Sequence, residues 1–292
     1  VNFKLFLSVF SRQCCCQYPD ENQQEPLPPE SHQTKPSQNF IALPLENSGQ
    51  RQEQSLLSSG SLISENEILT GPKMKFIIVE GNSLPKNTEY RINPGGYEGS
   101  TRTPKDGLVY FGNSPEKSDI VIHDSEASEN NHMVVRYDAS KKKYFLKDLG
   151  EGTGTFVKIT KPFSLKNGNV VSFGESHMLV QLNSANSDIS LKFLEGPKAD
   201  EVLSFTPDDS DIQIGRIQDC KVVFNDSSLS RYQLILKFQD QVGWILEDGN
   251  GLKGSTNGTW LFAEDFFEIH DGLLFKVGQT LFLAKTVEAS MS

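Results

Sequence analysis

The chain has 292 residues, with 28 basic against 38 acidic side chains and a formal net charge of −10. At roughly 100–200 residues per domain this length holds one or two domains, and the acidic balance disfavours general binding to a polyphosphate backbone. No run approaches the roughly 18–20 apolar residues of a spanning helix; four cysteines, three of them adjacent, are no disulfide framework, so an intracellular, reducing compartment is expected.

The first 72 residues differ from the rest. A short apolar start, Val1 to Phe10, is a weak match to a secretory signal because it lacks a basic n-region and a small-residue cleavage site. The stretch that follows is rich in Gln, Pro, Ser and Glu, with six prolines from Pro19 to Pro44. Such a composition cannot bury enough apolar surface to offset its ordering entropy, so a disordered tail is expected over 11–72. Cys14, Cys15 and Cys16 are candidates for acylation, which would tether the tail to a membrane. Three contiguous cysteines cannot enclose a metal ion, and no metal site is expected.

From Met74 onward short apolar runs alternate with turn-rich segments: Phe76–Val79, Val109–Phe111, Ile120–Ile122, Met133–Tyr137, Tyr144–Leu146, Phe156–Ile159, Val170–Phe173 and Met178–Leu182. None sustains a 3.6-residue period, and the pattern predicts an all-β sandwich or barrel. A second set then follows: Leu191–Leu194, Val202–Phe205, Ile212–Ile214, Val222–Phe224, Leu234–Phe238, Trp244–Glu247, Thr259–Phe262, Leu274–Val277 and Leu281–Ala284. Gly112 recurs as Gly215, Asp124 as Asp226, Ser128 as Ser230, Gly154-Thr155 as Gly258-Thr259, Gly168 as Gly272 and Gly174 as Gly278, at offsets of 102–104 residues. Matched glycines mark matched turns, because a tight turn needs positive φ. The expected organisation is a tail over 1–72, one β domain over 73–184, a second over 189–286, and a C-terminal tail over 287–292. A short linker around Asn183–Asp188 would join the two domains.

Enzyme motifs are nearly absent. Gly249-Asn-Gly251-Leu-Lys-Gly254 spells a dinucleotide-binding glycine pattern, but that pattern needs a following helix to face the pyrophosphate. Here Ser255 to Phe262 reads as turn then strand. What remains lies on turns of the second repeat: Ile214-Gly215-Arg216, Asp226 to Ser230-Arg231, and Gly254-Ser-Thr256-Asn257-Gly258-Thr259. A guanidinium, hydroxyls and a carboxamide are the equipment for holding a phosphate through charge-assisted hydrogen bonds. Loops at one end of a sandwich bring such separated turns together.

In their order, Gly215-Arg216, Ser230, Asp248 and Ser255-Thr256-Asn257-Gly258-Thr259 resemble the forkhead-associated (FHA) family over residues 189–286. The resemblance implies a compact β-sandwich that binds phosphothreonine peptides without catalysis or cofactor. It implies that Arg216 and Ser230 contact the phosphate, joined by Thr256, with Arg231 as an extra contact. Asn257 would hold the peptide main chain, and Gly215 and Gly258 would be structural. Where the family has His three residues after the serine, this chain has Gln233. The first repeat resembles the family less well. Asn113 replaces the arginine, His132 lies four residues after Ser128, and Gly152-Thr153-Gly154-Thr155 lacks the asparagine. Losing a full positive charge there should cost at least about tenfold in phosphate affinity.

The function expected is therefore a non-enzymatic adaptor. Its second FHA domain would dock a phosphothreonine-containing protein or peptide, and its first would serve as scaffold. The alternatives are a phosphate-independent interaction protein, or a regulatory fragment of a larger kinase or ubiquitin-ligase assembly. No nucleic-acid partner is expected, and a membrane only if the cysteines are acylated. The location expected is cytoplasmic, with the nucleus left open.

Overall fold

The computed structural model describes residues 62–287, apart from 103, 125, 184 and 186. Residues 1–61, with Cys14–Cys16 and most of the expected tail, lie outside the described residues, as do 288–292. No helix among the described residues is long and apolar enough to cross a membrane.

The end of the expected tail is folded. Glu65–Thr70 is an α-helix whose N-cap, Ser64, accepts the Glu67 N–H at 3.2 Å. Ser-Glu-Asn-Glu supplies both the cap and first-turn carboxylates that favour a helix start. Ile63 packs on the core and its N–H reaches Lys105 O at 2.8 Å, while the Tyr137 hydroxyl donates to the Glu67 carboxylate. The tail therefore stops short of residue 72, a boundary that proline content alone does not locate.

Everything else is strand and turn. Lys73–Glu80 shows the alternation at its clearest, with Met74, Phe76 and Ile78 buried and their neighbours less so. One eleven-stranded sheet runs, across its width, through Val202–Phe205, Ile189–Glu195, Ser176–Leu182, Val170–Phe173, Trp260–Phe262, Thr155–Lys158, Leu274–Val277, Thr280–Val287, Lys73–Glu80, Glu89–Asn93 and Gly96–Tyr97. Two five-stranded sheets complete two sandwiches. One holds Val222–Val223, Ile212–Gly215, Leu234–Gln239, Gly243–Asp248 and Phe163–Ser164; the other holds Phe267–Ile269, Lys143–Asp148, Asn131–Asp138, Leu108–Gly112 and Ile120–Val121.

This order corrects the expected domain boundaries. Strand Lys73–Glu80 pairs with Thr280–Val287, and Thr155–Lys158 with Leu274–Val277, so the first sandwich is closed by the last strands of the second repeat. Ile189–Glu195 pairs with Ser176–Leu182, and Trp260–Phe262 with Val170–Phe173, so the second is closed by strands of the first repeat. The strands on either side of the expected linker, Ser176–Leu182 and Ile189–Glu195, thus pair within one sandwich and do not separate two domains. The second sandwich is continuous in sequence over residues 163–262. The first is built from 73–158 and 267–287.

The crossovers fall at equivalent places, residues 159–162 and 263–266. They do not turn back because the strands before them pair with each other. Trp260, Leu261 and Phe262 lie antiparallel to Lys158, Val157 and Phe156. The ladder continues through Ile159 N–H to Thr259 O and Ala263 N–H to Thr155 O, each at 2.9 Å. Val157 and Leu261 face a core cluster that runs through both sandwiches, while Phe156, Val170, Trp260 and Phe262 form a second cluster on the opposite face. Just past the crossovers the equivalent residues Phe163 and Phe267 stack, 6.0 Å apart and 22° from parallel.

Candidate functional site

In the second sandwich the loops after Ile212–Gly215, Val222–Val223 and Gly243–Asp248 converge. Gly215 is required by crowding and not by φ, since a Cβ there would fall 2.2 Å from Arg231 O. The close approach is used at once: Arg216 N–H donates to Ser230 O at 3.2 Å, fixing the first loop to the second. Ser230 Oγ accepts the Thr256 N–H at 2.8 Å and lies 3.2 Å from Thr256 Oγ1; Asn257 Nδ2 donates to Ser228 O at 3.2 Å. Gly258, with φ of 82°, is at a turn that favours glycine. Arg216, Thr256 and Asn257 are exposed and Ser230 half-buried. The Arg216 guanidinium makes no ion pair among the described residues.

Arg231 stands next to this group, exposed on the same loop. Its held atom is the carbonyl, which accepts from Cys220 Sγ at 3.4 Å. Cys220 is buried, and burial pushes its thiol up in pKa. Gly249 to Gly254 leads into strand Trp260–Phe262, as the rejection of a dinucleotide site requires.

Gln233 fills the position expected for histidine, and it ties the loops together. Its Oε1 accepts the Ser230 N–H at 3.2 Å, and its Nε2 donates to Ser255 Oγ and to Gly258 O, each at 3.0 Å. Only 1% of its surface is exposed. Asp248 continues the network by accepting Ser255 N–H at 2.8 Å and Thr259 Oγ1–H at 2.7 Å. Each buried group left unsatisfied costs about 1–3 kcal/mol. Gln233→Leu should therefore lower the stability of residues 62–292 by about 2–4 kcal/mol in urea denaturation. Gln233→His keeps a donor and an acceptor and should lose less.

The equivalent loops of the first sandwich are arranged alike and filled differently. Asn113 N–H donates to Ser128 O at 2.8 Å, which places Asn113 where Arg216 stands. Ser128 N–H donates to His132 Nδ1 at 3.2 Å, the counterpart of the Gln233 bond. The four-residue spacing is absorbed by a register shift between Phe111 and Gly112, where Gly112 pairs with Asn131. The hydroxyl of Ser128 donates to the Glu151 carboxylate, which also accepts from Asn130 Nδ2 at 3.0 Å. An internal carboxylate thus sits on the serine that would meet a phosphate. Behind it Asp148 and His132 are buried 3.8 Å apart, and burial pushes the Asp148 carboxyl up to about 7 and the imidazole down. The sequence signal for Glu151 was the shorter loop between Asp148 and Thr155, which brings an acidic residue opposite Ser128.

The FHA-domain family model matches residues 109–174 and 212–278. The model thus matches the chain twice, once in each repeat. Each match runs across a crossover, because the chain order of an FHA repeat is unaltered and only the pairing is exchanged. Among solved structures, the FHA domain of an Arabidopsis thaliana hypothetical protein aligns at 13% identity with a TM-score of 0.33, covering 80% of this chain and 99% of that one. The kinase-interacting FHA domain of an Arabidopsis kinase associated protein phosphatase aligns at 13% identity with a TM-score of 0.30, covering 75% and 98%. No curated protein matches the chain. FHA domains are phosphothreonine-binding protein-interaction modules, and their chemistry is recognition without catalysis.

Proposed function

We propose that this protein is an adaptor whose second sandwich, residues 163–262, binds a phosphothreonine peptide. The observation that carries this is the contrast between the two loop ends. In one, Arg216, whose guanidinium joins no ion pair among the described residues, lies on the loop tied through its N–H to Ser230, beside Thr256 and Asn257; in the other, an asparagine replaces the arginine and Glu151 occupies the serine. A phosphothreonine brings close to two negative charges and three acceptor oxygens. The first end repels it; the second complements it. The first sandwich then serves as scaffold, which the shared sheet also supports, since it supplies the frame on which the binding loops are closed.

The test is isothermal titration of residues 62–292 with the best peptide from a phosphothreonine library and with its unphosphorylated twin. Ser230→Ala should weaken the phosphorylated peptide about 5- to 30-fold, equivalent to about 1–2 kcal/mol for one hydroxyl. Asn257→Ala should weaken both peptides, and Ser128→Ala neither. Equal affinity for the two peptides would favour a docking scaffold that ignores phosphate.

A further inference from the structure

A cavity of about 480 Å³ lies at the two crossovers, one wall drawn from residues 158–169 and the other from 261–270. The first of these segments leads from the first sandwich into the second, and the other leads back. The cavity is therefore made only when the strands are exchanged. Its volume suits a small organic molecule, and meeting places of two domains are where such sites form.

Most of the lining is apolar. The stacked rings of Phe163 and Phe267 and the ring of Phe266 stand on the wall with Leu261, and all three rings are half-buried. The Arg136 guanidinium lies 3.9 Å from the centre of the Phe266 ring and steadies that side. Flat aromatic walls favour a planar apolar body.

The charge on the wall has a sign. Lys158, Lys161 and Lys166 line the cavity, and none of them joins an ion pair among the described residues. Lys158 Nζ also lies 5.8 Å from the centre of the Trp260 ring, which leaves the exposed Lys161 and Lys166 as the freer pair. Of the two carboxylates on the wall, Glu268 is held by Lys143 at 2.7 Å, and Asp265 is exposed without a cation partner among the described residues. Three uncommitted ammonium groups against one uncommitted carboxylate make this wall cationic, in a chain whose net charge is −10.

We propose that this cavity binds a small organic anion with a planar aromatic body. The ring system lies against Phe163, Phe266 and Phe267, and the acid group meets the lysines. Arg216 and Ser230 are not on this wall, so the site is separate from the phosphothreonine loops. Fluorescence titration of the full chain tests it with anilinonaphthalene sulfonate, an aromatic anion, and with uncharged phenylnaphthylamine, the same body without the sulfonate. One site should take the anion about tenfold more tightly than the neutral dye, the worth of one charge-assisted contact. Replacing both Lys161→Gln and Lys166→Gln should remove that preference and leave the affinity of the neutral dye as it was. Asp265→Asn should tighten the anion about two- to fivefold, the scale of an exposed charge contact. Arg216→Ala should leave both dyes bound. Failure of either dye to bind, equal affinities for the two, or a preference that survives the double glutamine variant would overturn the proposal. Loss of the anion in Arg216→Ala would overturn it as well, by moving the dye to the phosphate loops.

Discussion

Residues 185–292, cut from the chain as the sequence repeat suggests, are expected to be about 3–5 kcal/mol less stable than the continuous segment 159–266. In the intact protein the second sandwich is closed by Val170–Phe173 and Ser176–Leu182, whose Phe173, Met178 and Val180 are at most 1% exposed. In the cut fragment only its own strands remain to do this, and they would present Val277, Phe282 and Ala284 at those places. Phe173 meets Phe224 edge-on at 5.6 Å, a contact a valine forfeits. Phe282, which stacks on Phe275 at 5.2 Å in the first sandwich, would be forced into a methionine's space. Large-to-small and overpacking changes cost about 1–5 kcal/mol each, against a net domain stability of about 5–15 kcal/mol. Urea denaturation of the two fragments decides it. Equal midpoints and slopes would show that the repeats close on themselves as readily as on each other.

The second large effect is at Arg216. Arg216→Ala should cost about 2–4 kcal/mol in phosphopeptide affinity, roughly 30- to 1000-fold. The chain carries a net charge of −10, so its overall field opposes an incoming phosphate. Arg216 carries a full positive charge on the loop tied to Ser230, and its guanidinium joins no ion pair among the described residues. Its loss leaves the phosphate oxygens with hydroxyl and amide donors and the neighbouring Arg231. Titration of Arg216→Ala with the best peptide should also show an unchanged affinity for the unphosphorylated form. Wild-type affinity in this variant would place the phosphate elsewhere.

The sequence made the strands and the loop residues legible because both depend on local pattern. Val109–Phe111, Met133–Tyr137 and Leu234–Phe238 all lie within observed strands, and the loops that carry Arg216, Ser230, Thr256 and Asn257 are joined by hydrogen bonds. Strands Glu89–Asn93, Gly96–Tyr97, Phe163–Ser164 and Phe267–Ile269 were missed, the last three being too short to show a period. Three of the four matched glycine pairs adopt positive φ, Gly154 and Gly258 at 86° and 82°, Gly168 and Gly272 at 93° and 81°, Gly174 and Gly278 at 54° and 57°; Gly112 and Gly215 are needed instead because a Cβ would strike a carbonyl about 2 Å away. The exchange itself was illegible for a physical reason. Two homologous repeats offer interchangeable closing strands, and local periodicity carries no information about which copy a strand will join. Gln233 was likewise opaque, since its value lies in partners more than twenty residues away.

Pairing the strand Lys73–Glu80 with Thr280–Val287 also sets an order of assembly on the ribosome. The first sandwich has its opening strand early and must wait about 200 residues for the partner that completes it, while the second finishes as soon as residue 262 has emerged. Until then Met74, Phe76 and Ile78 sit on a strand whose hydrogen-bonding edge is unpaired, which is the form most open to association with another chain. Contacts of such long sequence separation also slow folding. During synthesis the second sandwich would thus be finished before the first.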